Sequence, residues 1–153
     1  NISQHGNDDI TFHISANPGQ KPQPLSNIAS GGELSRMSLA IQVITSNGTN
    51  IPTMIFDEVD SGIGGAIAEV VGNKLKDLGQ NKQVLCVTHL AQVASKGSSH
   101  IRINKLTDNK KTKIYASKLN SDERIEEIAR MIGGIELTEK TREYAKEMLS
   151  LRS

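Results

Sequence analysis

A chain of 153 residues suits one domain, large enough to bury about two thirds of its unfolded surface. Eighteen Lys and Arg against 17 Asp and Glu leave a net charge of +1, which excludes a globally basic nucleic-acid binder and confines any such contact to a local cluster. The hydrophobic content of 36% includes only Phe12, Phe56, Tyr115 and Tyr144 as aromatics, so the core must be built from Ile, Val, Leu, Met and Ala.

The single cysteine, Cys86, excludes an internal disulfide, and its setting in QVLCVTH is that of a small buried hydrophobe in a reducing compartment. No apolar run approaches the roughly 18 residues of a membrane span, and the start carries no signal-peptide pattern. A cytoplasmic setting without membrane contact is therefore expected. The chain starts at Asn1 without a methionine and soon enters an apparent strand, the pattern expected of a piece of a longer protein.

In chain order, Asp9–Ala16 alternates Ile10, Phe12 and Ile14 with polar residues and predicts a half-buried strand. The proline-rich NPGQKPQPLSN, Asn17–Asn27, predicts an exposed break in regular structure. From Glu33, the spacing of Leu34, Met37, Ala40, Ile41 and Ile44 predicts a helix, with Gly31 and Gly32 at its entrance and SNGTN, Ser46–Asn50, as its stop. IPTMIFDE then reads as a strand of a parallel sheet, buried on both faces and ending in carboxylates.

Ile67, Val70, Val71, Leu75 and Leu78 fall on one helical face before Gly79, and KQVLCVTH is a second apolar strand. Two such strands joined by a helix predict a βαβ unit with Asp57, Glu58 and His89 at one sheet edge. A short helix over Leu90–Lys96 and an antiparallel hairpin around TDNK follow. Two closing helices are expected: one with Ile125, Ile128, Ala129 and Ile132 on its face and Gly133-Gly134 as its stop, the other capped by Thr138 and carrying Tyr144, Ala145, Met148 and Leu149.

The adjacent carboxylates of MIFDE must diverge, so they can serve different atoms of one phosphate-containing site. Asp57 is placed for magnesium, directly or through water, and Glu58 for orienting a water and accepting its proton during in-line attack. His89 can hydrogen-bond a terminal phosphate, whereas His5, His13 and His100 have no comparable setting. Ser30, Gly31 and Gly32 expose a hydroxyl and amides at a helix N-terminus, where the dipole favours an anion. The spacing of Ser30 and Glu33 also matches a capping box, and the two readings coexist.

In this order, ASGGE (Ala29–Glu33) resembles the signature motif of ABC-type ATPases, TMIFDE resembles Walker B, and VTH resembles the switch-histidine loop. The longer strings ASGGELSRMSLAIQV and IFDEVDSGIGGAIAEVVG resemble the SMC-like branch of that superfamily, in its bacterial DNA-repair members. The resemblance runs from about Asp9 through the helical end. It implies an α/β fold, one C-terminal lobe of an ATPase head over residues 1–153, with a mainly parallel sheet flanked by helices, a β-hairpin and C-terminal helices.

The resemblance further implies ATP and Mg2+ as cofactors and an N-terminal Walker A half of the same protein as partner, with a coiled coil between the halves. It also implies a second head in a homodimer, DNA in the full-length protein, and association with the nucleoid. Asp57, Glu58 and His89 would serve the nucleotide of their own head, Glu58 and His89 as the catalytic pair. Ser30, Gly31, Gly32 and Glu33 would reach the nucleotide of the partner head, so the glycine pair is expected to face away from its own Asp57-Glu58 pair. Asp60, Ser61 and Gly62 are candidates for a dimer loop, although Gly64 stands where many relatives carry an aspartate.

A transporter-type ATP-binding subunit is the competing reading, opposed by DEVD and by a signature ending in Glu33. A dimerisation or DNA-binding module, idle without its other half, is a third. The hairpin's Arg102, Lys105, Lys110, Lys111, Lys113 and Lys118, with Asp108 as the one acid among them, suit either DNA phosphates or protection of an exposed sheet edge, and the second is favoured.

Overall fold

A computed structural model describes residues 6, 8, 10–15, 19, 21–27, 31–45, 51–108, 111–134 and 137–150. Its centre is the expected βαβ unit. Strand β3 (Thr53–Phe56) pairs in parallel with β4 (Gln83–Cys86). Helix α2 (Gly65–Leu78) joins them. Backbone bonds from Gln83 to Pro52 and from Val87 to Phe56, both 2.9 Å, extend the ladder beyond each end.

The parallel pair is buried on one face only, where the sequence predicted two. Met54 and Phe56 point into a core with Leu39, Val59, Ala68, Val71, Leu75, Leu78 and Val93, whereas Ile55 is 72% exposed and Leu85 and Val87 share its open side. Helix α2 buries Ala68, Val71, Gly72, Leu75 and Leu78, and leaves Ile67 and Val70 outside. Gly72 is required by a close approach: a Cβ there would lie 3.1 Å from the Gln92 carbonyl of the short helix α3 (Ala91–Ala94).

Helix α1 (Gly31–Thr45) begins at the glycine pair, but its predicted face turns out differently. Leu39 and Gly32 are buried and Val43 packs on the core, while Leu34, Ile41 and Ile44 are exposed. A helix with apolar residues on more than one side can seat either stripe, and periodicity alone does not choose. The expected stop at Ser46–Asn50 lies outside the described residues.

The N-terminal strand shrinks to β1 (His13–Ile14), antiparallel to β2 (Gln23–Pro24), so part of the proline-rich segment is paired rather than irregular. Ile10 and Phe12 are exposed. Pro24 lacks an amide and suits a ladder this short. Asp9, Ala16 and Asn17 are outside the described residues.

The hairpin is β5 (Ile101–Asp108) against β6 (Lys111–Lys118), the first strand running two residues further into TDNK than expected. Its register divides the basic residues: Lys105 and Lys118 share a face with Ile101, Ile103 and Ile114, and Arg102 and Lys113 lie on the other. Arg102 also approaches Glu127, at 3.6 Å. Among the described residues the hairpin therefore presents no single basic stripe.

Helix α4 (Ser121–Gly133) opens with a reciprocal capping box between Asn120 and Glu123, both bonds 2.9 Å, and ends at Gly134 with φ of 69°. Helix α5 (Glu139–Ser150) follows Thr138, whose hydroxyl accepts the Thr141 amide at 3.3 Å as expected of a cap. Ile128, Ala129, Ala145 and Met148 close with Ala91 and Ala94 into a second core, and Tyr144 stays half exposed. Buried Arg124 donates from Nη2 to the carbonyls of Ala94, Ser95 and Gly97, holding the end of α3 against α4.

The fold is thus α/β with flanking helices, a hairpin and two C-terminal helices. Its parallel component is the β3–β4 pair, and the other two pairings among the described residues are antiparallel.

Candidate functional site

Parallel pairing of β3 and β4 brings their C-terminal ends to one edge, as predicted. There Asp57, Glu58, Asp60, Ser61, Val87, Thr88 and His89 line a shallow cleft of about 290 Å³. A larger cavity of about 340 Å³ at the hairpin base, lined by His100, Lys118, Arg124 and Lys146 among others, holds none of the predicted residues.

Asp57 and Glu58 are both exposed and line the same cleft. Asp57 Oδ1 accepts the Glu58 amide at 2.9 Å, and Glu58 adopts φ of 59°, the only positive φ among described non-glycine residues. A left-handed backbone at a glutamate is strained and persists where surrounding structure enforces it, as function often demands. Here a turn enforces it, with the Ser61 amide donating to the Glu58 carbonyl at 3.1 Å.

The glycine pair does not face away from this carboxylate pair. A Cβ at Gly31 would lie 3.0 Å from Glu58 Oε2 of the same chain, and one at Gly32 would lie 2.8 Å from the Ser61 carbonyl. Arg36 Nη1 reinforces the contact by donating to that carbonyl at 2.7 Å. The start of α1 is therefore seated on the turn after β3, a packing that at Gly32 only a residue without a Cβ allows. Gly31 and Glu33 remain exposed, and Ser30 lies outside the described residues.

Asp60 is not a surface residue of a dimer loop. It is 2% exposed, and its Oδ2 accepts the Thr88 hydroxyl at 2.5 Å, the His89 amide at 3.0 Å and the Leu90 amide at 3.3 Å. His89 Nδ1 lies 3.4 Å from the same oxygen, with the ring 70% exposed. Ser61 and Gly62 stay exposed, so those members of the predicted loop remain accessible. Sequence reasoning missed Thr88 and Arg36; a hydroxyl directly before the histidine and an arginine one turn into α1 were the available signals.

The cleft is electronegative. Burial pushes the Cys86 thiol up to about 11, with further contributions from the charges of Asp60 and Asp57. Among the described residues no group of three His, Cys, Asp or Glu could cage a metal. One open carboxylate oxygen of Asp57 beside Glu58 instead fits Mg2+, which typically takes one or two protein carboxylates and fills its shell with water and substrate phosphates.

The fold is similar to that of SMC ATPase heads. The Smc head domain with a coiled coil and joint from Pyrococcus yayanosii superposes with a TM-score of 0.56 at 17% identity, covering 72% of this chain and 20% of that one. A head from a study of ATP-driven dimerization and DNA-stimulated activation of SMC ATPases gives 0.52, also at 17% identity, covering 74% of this chain and 68% of that one.

Within that class, the chain belongs to the RecN family. It is 54% identical over 144 residues to DNA repair protein RecN of Vibrio cholerae, covering 94% of this chain and 26% of the relative. Against RecN of Haemophilus influenzae it is 51% identical over 150 residues, covering 98% and 27%, and against RecN of Deinococcus radiodurans 44% over 146 residues, covering 95% and 25%. The chain thus spans about a quarter of the length of the curated relatives it matches, between 25% and 27% in these three. No family model matches it.

Proposed function

We propose that the chain is the signature-bearing part of an ATP-hydrolysing, SMC-like head that acts in DNA double-strand-break repair and recombination. An N-terminal Walker A half of the same protein completes the site, and a second head engages it across ATP. The observation that carries the reading is the meeting of Asp57, Glu58 and His89 at one sheet edge with the glycine pair of α1 seated beside Glu58.

In this reading Glu58 orients a water and takes its proton as the water oxygen attacks the terminal phosphorus and the bond to the leaving diphosphate breaks. His89 donates to the terminal phosphate. Asp57 holds Mg2+, directly or through water, and the ion when bound neutralises phosphate charge. Gly31 is exposed beside Glu58 and Glu33 is exposed in the same first turn, so a nucleotide brought by a second head would meet the positive end of α1 there.

A split site is supported by charge. Among the described residues the cleft lining holds three carboxylates and one imidazole but neither Lys nor Arg, so a triphosphate needs a cationic cradle from elsewhere. The open side of β3–β4, with Ile55, Leu85 and Val87, is suited to cover by that other half. The repair role rests on the relatives named DNA repair protein RecN, and residence at the nucleoid in the cytoplasm is proposed with it. No described helix is long and apolar enough to cross a membrane.

The test is Glu58→Gln in the full-length protein, which should keep MgATP binding and lower kcat on the order of 100-fold or more. An unmodified rate would remove Glu58 as the base. The 153-residue chain alone should not turn ATP over, and magnesium-dependent hydrolysis by it would overturn the split site.

A further inference from the structure

We propose that Asp60 is a positioning residue that locks the loop carrying His89 to the turn carrying Glu58, so that the two groups act at a fixed separation. This rests on the hydrolytic reading of the cleft. Asp60 is 2% exposed, and a buried carboxylate is costly unless donors surround it. Among the described residues the donors to its carboxylate come from one place: the Thr88 hydroxyl and the His89 and Leu90 backbone amides converge on Oδ2.

Thr88 stiffens the same loop, since its Oγ1 also accepts the Leu90 amide at 3.1 Å. The consequence is that the backbone of Thr88–Leu90 is fixed from beneath while the His89 ring stands open to the cleft, its Nδ1 3.4 Å from Asp60. Two residues before Asp60, Glu58 leaves the same turn toward the same cleft. A single carboxylate, almost fully buried at the edge of the cleft, therefore sets the geometry between the ends of two strands.

The experiment is a double-mutant cycle on steady-state ATP hydrolysis by the full-length protein. Asp60→Ala should lower kcat on the order of 10- to 100-fold, the cost usual for orienting contacts, with KM for MgATP changed by no more than about threefold. Asp60→Asn keeps an acceptor oxygen and should restore most of the rate. Because Asp60 acts through His89, the Asp60→Ala/His89→Ala double variant should be no slower than His89→Ala alone.

Losses that multiply in the double variant, an unchanged kcat in Asp60→Ala while His89→Ala is slow, or an Asp60→Asn as slow as Asp60→Ala would each overturn the assignment. Failure of the hydrolytic reading looks different: His89→Ala and Glu58→Gln would then both turn over at the unmodified rate. If Asp60→Ala does not fold, the cycle run with Thr88→Val and His89→Ala decides by the same criterion, non-multiplying losses supporting the lock and multiplying losses overturning it.

Discussion

Replacing each member of the glycine pair by alanine should have unequal consequences for stability. At Gly32 the new Cβ would sit 2.8 Å from the Ser61 carbonyl oxygen, 3.0 Å from Ser61 Cβ and 3.1 Å from Arg36 Nη1. Two of these atoms belong to a turn fixed by the Arg36 and Glu58 contacts, so relief requires moving α1 or the turn itself. Overpacking of this kind costs about 1–3 kcal/mol, and the helix-propensity gain of alanine, at most about 1 kcal/mol and less in the first turn, offsets part of it. A net loss of about 1–2 kcal/mol follows. At Gly31 the only close atom is Glu58 Oε2, 3.0 Å away at the end of a flexible side chain, which can swing aside. Gly31→Ala should stay within about 0.5 kcal/mol of the parent. Urea denaturation followed by circular dichroism measures both. A Gly32→Ala variant as stable as Gly31→Ala would refute the seating of α1 on the Ser61 turn.

Two further perturbations test other parts of the structure. Ile55→Asp changes a side chain that is 72% exposed, so it should shift the chain's own stability by less than about 1 kcal/mol while weakening association with a separately supplied Walker A half at least tenfold in a binding titration; unchanged association would show that this face is not covered. Glu127 is 4% exposed, and burial alone would raise its pKa, but the hydrogen bond and charge of Arg130, with the charges of Arg102 and His100, outweigh burial and hold it below the ordinary value. A depressed folded-state pKa means stability present above the unfolded value and lost as pH falls through the folded one. Glu127→Gln should thus cost about 1–3 kcal/mol at pH 7, with the gap closing below about pH 4 in denaturation curves; an equal gap at pH 3 would count against the ion-pair account.

What the sequence revealed and what it hid follow from the range of the forces involved. Asp57, Glu58 and His89 were legible because they end apolar runs, and parallel pairing of those runs leaves one place for their side chains. The hairpin and the helix following Thr138 were legible because turn and cap chemistry is local. The open face at Ile55 and Leu85 was not, because an apolar run reads the same whether its second face is covered within the chain or by another polypeptide. The wrong face of α1 has the same origin: Leu34, Ile41 and Ile44 keep helical spacing but find no core among the described residues. Asp60 was misread because a third acid after DEV looks like a surface loop, and only the approach of Thr88 from the neighbouring strand turns it inward.

The turn of residues 58–61 is where these observations combine. Gly32 and Arg36 bear on it from α1 through Ser61, β3 delivers it, and Asp60 ties it to the loop of His89. Its geometry is strained at Glu58 by on the order of 1–3 kcal/mol and is stabilised by contacts from two other segments. A second head pressing on the exposed glycine end of α1 would therefore bear on Ser61 first. From there the route to Glu58 is one turn hydrogen bond, and the route to His89 is the neighbouring carboxylate. On the proposed function, the glycine pair can abut its own Glu58 and still serve a partner's nucleotide, because the contact that seats it is the same one through which engagement would reach the proposed catalytic side chains, Glu58 and His89.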